Sequence, residues 1–134
     1  MKTEYKIISA NDFIKAKPGG DIDLEQSKRV LADIALLNEP PADYEILFDV
    51  RLCTGHLTYA DFYEFVAELG RHRSSFRNKI AFVTRNDEQF DRGRFLQLCA
   101  VNRGFKVAVF HDFEEATEWL QQATEVQNWP GISD

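Results

Sequence analysis

Cysteine is scarce in this chain of 134 residues, methionine scarcer, and cationic side chains stop altogether at Lys106. The two cysteines, Cys53 and Cys99, cannot build the disulfide scaffold that replaces a core in small secreted domains. No stretch approaches the roughly 18 consecutive apolar residues of a membrane-crossing helix. The opening Met1-Lys2-Thr3-Glu4-Tyr5 lacks the apolar segment of a secretory signal. The expectation from these absences is a soluble, cytoplasmic chain with no transmembrane segment. There is no G-x-G-x-x-G for a dinucleotide and no G-x-x-x-x-G-K-[ST] for a nucleoside triphosphate. Paired C-x-x-C or H-x-x-x-H spacings are also missing, so no metal site and no cofactor is expected.

What the chain does contain is apolar material. It is 44% hydrophobic and 13% aromatic, with eleven phenylalanines, which is enough for a packed core and excludes a disordered protein. Its length is that of one compact domain. The net charge of −6 argues against a general nucleic-acid binder. The charge is unevenly spread: residues 71–106 hold 9 basic and 3 acidic side chains, and residues 107–134 hold 6 acidic and no basic ones. Such a split can steer the chain towards an acidic partner or a copy of itself.

Periodicity supplies the elements. Tyr5–Ser9 and Asp12–Lys17, separated by Ala10-Asn11, form an N-terminal β-hairpin closed by Pro18-Gly19-Gly20. Asp23 and Gln26 make a capping box, because each side chain can reach the other's backbone N–H. Val30, Leu31, Ile34 and Leu37 then give a helix over about 24–38, which Pro40-Pro41 ends. Ile46–Val50 is a short apolar run suited to a strand buried on both faces. Thr58 and Asp61 cap a second helix with an apolar stripe of Phe62, Phe65, Val66 and Leu69. Ile80–Thr84 is the next strand, followed by a helix over 88–102 with Phe90, Phe95, Leu98 and Cys99 facing inward and Gly104 just past its end. Phe105–Phe110 is the last strand. Asp112 and Glu115 cap a final helix whose inner face is Ala116, Trp119, Leu120 and Ala123. The fold class is therefore α/β: a hairpin, then a mixed, mainly parallel sheet of about five strands with about four helices. One domain spans residues 1–123, and 124–134 form a loosely held tail.

In an open parallel sheet, ligands bind outside the carboxyl ends of the strands. That rule selects a rim composed of Arg51, Cys53, His56, Thr58, Thr84, Arg85 and His111. Several chemistries can be tested against it. A phosphatase-type loop needs an arginine six positions after the cysteine, and Cys53 has Tyr59 there. A phospho-acceptor receiver needs an acidic cluster at the end of its first strand, which is missing. Cys53 with His56 or His111 could form a nucleophilic dyad, and with Asp112 these residues offer metal-ligand types. Both are coincidences of low specificity, and no catalytic residue is assigned. Thr58 is a helix cap worth roughly 1 kcal/mol, and the same position favours an added phosphate.

The pattern resembles a known family. Ile46-Leu47-Phe48-Asp49-Val50-Arg51 leading into a Thr-capped helix, Gly20-Asp21-Ile22-Asp23-Leu24-Glu25 opening the first helix, and Phe110–Leu120 as F-x-D-x-x-E-A-x-x-W-L resemble STAS-type domains, most of all the SpoIIAA-like (STAS/SEC14-like) branch. The likeness spans about residues 5–122. It implies a non-catalytic regulatory module that binds a protein partner. Switching members of the family are phosphorylated within D-S-S-G-L-G at a helix start. The matching Leu57-Thr58-Tyr59-Ala60-Asp61-Phe62 has neither the serines nor the glycines and leaves Thr58 as the acceptor. The expected interaction surface joins the rim near Thr58 to the basic stretch Arg71–Lys79. SEC14-like kinship implies instead an apolar small-ligand or lipid pocket, expected among Phe62, Phe65, Phe90, Phe95 and Trp119. A thiol-dependent enzyme using Cys53 is the third reading, and a homodimer through the unpaired edge of the hairpin is a further partner expectation.

Overall fold

The computed structural model describes residues 3–8, 13–36, 44–55 and 57–122. In chain order the elements are β1 (Thr3–Ile8), β2 (Phe13–Pro18), α1 (Leu24–Ala35), β3 (Glu45–Asp49), α2 (Tyr59–Arg71), β4 (Ile80–Val83), α3 (Glu88–Asn102), β5 (Val107–Phe110) and α4 (Phe113–Gln121). A single 3₁₀ turn, Arg73–Ser75, follows α2. The turn expected at Ala10-Asn11, the Pro40-Pro41 break, His56, Ala123 and the tail at 124–134 lie outside the described residues. Among the described residues no helix is long and apolar enough to cross a membrane.

The strands form one sheet in the order β1-β2-β3-β4-β5. β1 is antiparallel to β2, and β2 to β5 all run parallel. This order has a consequence for the layers. Parallel crossovers share one hand, so successive steps in one direction place their helices on the same face. Accordingly α1, α2 and α3 cover one face, where Ile14, Ala16, Ile46, Phe48, Ile80, Phe82, Val107 and Val109 point. The alternate residues Leu47, Ala81 and Val83 point to the other face, where α4 supplies Ala116 and Leu120. Among the described residues α4 alone covers that second face, and it does so over β3, β4 and β5.

Local chemistry sets the helix starts. The Asp23–Gln26 and Thr58–Asp61 capping boxes are both formed reciprocally. Asp87 caps α3 by accepting from the Gln89 N–H, and Asp112 caps α4 by accepting from Glu114 N–H. The partner of Asp112 is thus the residue before Glu115. α1 ends at Ala35 with Leu36 as its exposed C-cap, three residues short of the expected end at 38. Of the inward face expected for α3, Cys99 is buried and Phe90 and Phe95 pack against the core, but Leu98 is 58% exposed; the buried residues are Gly93, Leu96, Cys99 and Ala100. The helix carries apolar residues on two faces, and small side chains mark the one that meets the sheet. Gly93 sits so close to β5 that an added Cβ would press on the Val109 side chain.

Candidate functional site

The pairing Asp49↔Val83↔Phe110 brings the carboxyl ends of β3, β4 and β5 to one border. β2 is parallel to them and delivers its loop to the same border. The β2–α1 and β3–α2 loops are then zipped together. Gly20 N–H donates to the Leu52 carbonyl at 3.2 Å, and Thr54 N–H donates to the Gly20 carbonyl at 3.0 Å. Two glycines make this approach feasible. Gly20 has φ of 82°, in the left-handed region. At Gly55 a Cβ would land on the Ile22 carbonyl oxygen. From the β4–α3 loop, Arg85 Nη1 donates to the carbonyls of Arg51 (2.8 Å) and Cys53 (2.9 Å) and locks the β3–α2 loop from the other side.

Of the seven residues expected along the rim, the six that are described do not gather their side chains at one point. Arg51 turns to the α4 face. Its guanidinium grips Asp49 through Nε (2.9 Å) and Nη2 (2.8 Å), and Asp49 also accepts from the Arg51 backbone N–H. Burial pushes the Asp49 carboxyl up, but these bonds outweigh it and hold the group below its ordinary 3.8. Thr58 is exposed and its hydroxyl is engaged as the α2 cap. His111 is exposed and meets the edge of Phe90 at 4.9 Å. His56 lies outside the described residues. Arg85 is the loop clamp. Only Cys53 and Thr84 face inward, and both line a cavity.

That cavity, of about 130 Å³, opens between the sheet and α1–α3 just beneath the rim. Phe48 and Phe82 line it from the sheet, stacked at 4.9 Å. Val30, Phe62, Phe65 and Leu96 line it from the three helices. Of the aromatic residues expected to form a pocket, Phe62 and Phe65 take part. Phe90 is used against His111, and Phe95 stacks on Tyr59 at 4.4 Å. Trp119 belongs to α4 on the opposite face, because β-strand alternation separates the two cores.

Three polar lining residues were not among the expected rim: Ser27 from α1, and Gln89 and Arg92. The last two come from the first turns of α3. The signal was present, since 89, 92 and 96 follow helical spacing on one stripe, but the apolar residues of the other α3 face mask it. Gln89 Nε2 donates to the Val50 carbonyl at 2.7 Å, and Arg92 Nη1 to the Leu57 carbonyl at 2.9 Å.

The chemistry of Cys53 is that of a packed thiol. It is buried, and its Sγ approaches the Pro18 carbonyl at 3.5 Å. Burial pushes it up to about 11; nearby Arg85 opposes that push and Asp49 adds to it. A nucleophile needs the opposite shift, so this environment does not support the thiol-enzyme reading. Among the described residues no three of His, Cys, Asp or Glu are grouped as metal ligands. The surface expected to join the rim to Arg71–Lys79 would have to run the length of α2. That stretch lies at the far end of α2, whose 13 residues span about 20 Å. Lys79 is itself buried under α4.

Comparison with known proteins gives a fold. No family model and no curated protein matches the chain. A solved structure does: an uncharacterized protein of the DUF3478 family from Shewanella loihica PV-4, described as having a SpoIIAA-like fold. The two are 17% identical with a TM-score of 0.56, over 89% of this chain and 92% of that one. The chain has a SpoIIAA-like fold, in keeping with the resemblance carried by its motifs.

Proposed function

We propose that this protein is a non-catalytic binding module that takes a small apolar ligand into the pocket between its sheet and α1–α3. The observation that carries this reading is a cavity of about 130 Å³ lined by Phe48, Phe62, Phe65 and Phe82 at the carboxyl border of a parallel sheet. An apolar chamber of about 150 Å³ is known to stay dry and to accept a benzene ring. A ligand that binds only the folded state raises stability with its concentration. Toluene at saturating concentration is therefore expected to raise the Tm, and Leu96→Trp, which fills the chamber, is expected to abolish the rise. No shift with toluene at any concentration overturns the reading.

A second reading, a regulatory surface for a protein partner, is favoured by a separate feature. Tyr59 and Tyr63 are exposed and meet Phe95 directly after Thr58, and Leu98, one turn along α3 from Phe95, is exposed too. Exposed aromatic side chains are enriched at interfaces. A phosphate on Thr58 would sit beside them at the positive end of α2. Under this reading a Thr58→Glu variant changes the set of cytoplasmic proteins retained on the immobilised chain, and a Tyr63→Ala variant loses it. If a second copy is the partner and joins through the sheet, β1 is the edge available. At the β5 edge, Gln97 already occupies the Val109 N–H at 3.0 Å.

A further inference from the structure

The polar groups around the cavity are not equivalent. Ser27 Oγ donates to the Asp23 carbonyl, Thr84 Oγ1 to the Arg85 carbonyl, and Cys53 and Gln89 to the carbonyls of Pro18 and Val50. Each is thus engaged with the backbone. Arg92 differs. A guanidinium carries several N–H donors, and Arg92 spends one of them on the Leu57 carbonyl. No carboxylate of the described residues lies within ion-pair distance of it, whereas Arg51 and Arg85 each have an aspartate. Arg92 is half-buried beside an apolar chamber. Its remaining donors stand beside the apolar lining in a planar fork, the geometry that suits a carboxylate.

We infer that the ligand is a small aryl carboxylic acid, its ring in the phenylalanine-lined chamber and its carboxylate on the Arg92 guanidinium. This rests on the apolar-ligand reading above and adds the charge and the size. The volume of about 130 Å³ fits one six-membered ring and excludes the full tail of a long-chain lipid. The four phenylalanine rings offer edge-to-face partners to an aromatic guest. The planar guanidinium fork matches a carboxylate, with charge-assisted bonds about twice as strong as neutral ones.

The test is calorimetric titration at fixed ionic strength with four probes: phenylacetate, its neutral isostere phenylacetamide, toluene and acetate. Phenylacetate is expected to bind at least about tenfold more tightly than phenylacetamide, the ratio that one charged hydrogen-bonded contact supplies. Arg92→Gln is expected to bring the two within about twofold. Arg92→Lys, which retains the cation, restores part of the preference and guards against a merely structural effect of the glutamine. Equal binding of phenylacetate and phenylacetamide, or a preference that survives Arg92→Gln, overturns the inference and leaves the apolar pocket standing. Acetate binding as tightly as phenylacetate also overturns it, since the ring then contributes nothing. If none of the ring-bearing probes binds, the pocket reading falls and this inference falls with it.

Discussion

At the scale of single residues, two buried ionisable groups at the rim behave in opposite ways, and neighbouring charges decide which. Asp49 is 1% exposed yet remains ionised because Arg51 presents two donors and a backbone N–H to it. Its folded-state pKa is below the ordinary value, so the unfolded chain takes up a proton first as the pH falls. The contribution of the pair is therefore complete above about pH 5 and is lost as the pH falls through 3.8 and below. Urea midpoints measured from pH 7 to pH 2.5 should fall more steeply for the wild type than for Asp49→Asn. Arg51→Met should cost about 2 kcal/mol at pH 7. That is more than an exposed pair contributes and less than a fully buried one, because the Arg51 side chain is 42% exposed. Cys53 has no comparable rescue, and its thiol stays protonated at neutral pH. Alkylation by iodoacetamide at pH 7.5 should be at least about tenfold slower in the native protein than in urea, for Cys53 and for buried Cys99 alike. Fast native labelling of Cys53 would contradict its placement against Pro18.

At the scale of elements, what could be read in advance was whatever depends on near neighbours in the chain. Both capping boxes are four-residue devices, and Asp23 and Thr58 begin their helices where the spacing places them. Thr58→Ala should lower stability by about 1 kcal/mol, with helix-start amides at 59–61 losing hydrogen-exchange protection. No loss of stability would mean that Asp61 holds the turn alone. The phase of α3 could not be read in the same way. Phe95, Leu98 and Val101 form one apolar stripe and Gly93, Leu96 and Ala100 another, and periodicity alone does not say which one meets the sheet. The answer comes from close approach: β5 needs a residue without a side chain opposite Val109, and only the Gly93 face supplies it. A face drawn through Phe90, Phe95, Leu98 and Cys99 is right in all but Leu98, yet it leaves out Gln89 and Arg92, and with them the polar end of the cavity. Similarly, the strand-end rule located the rim, but not which side of the sheet each rim side chain takes. Arg51 and Cys53 are two positions apart and diverge because the chain turns sharply at Arg51-Leu52.

At the scale of the whole molecule, the two faces of the sheet are held very differently. Three helices press on one face, while among the described residues the other is covered by α4, a helix of nine residues with no basic side chain in its last turn. The chain has no cation after Lys106 with which to complete that helix end. The charge comes from 40 residues upstream. Lys79, buried just before β4, donates from Nζ to the carbonyls of Trp119 (2.8 Å) and Gln122 (2.6 Å), and lies 5.4 Å from the centre of the Trp119 ring. A positive charge at a helix carboxyl end is favoured by the helix dipole, and here it also bonds the Gln122 carbonyl past the helix end and shares the Trp119 carbonyl with the Gln122 N–H. Lys79→Met keeps most of the apolar stem and removes only the ammonium. It should cost about 2–3 kcal/mol, the range of hydrogen bonds to a charged group. Because the contact is buried, the loss should change little between 0.05 and 0.5 M salt, unlike that of a surface pair. Native-state hydrogen exchange should show the loss concentrated in 113–121, with α2 and the cavity unchanged. If protection instead falls evenly across both faces, α4 is not an independently docked layer, and the two cores share one cooperative unit.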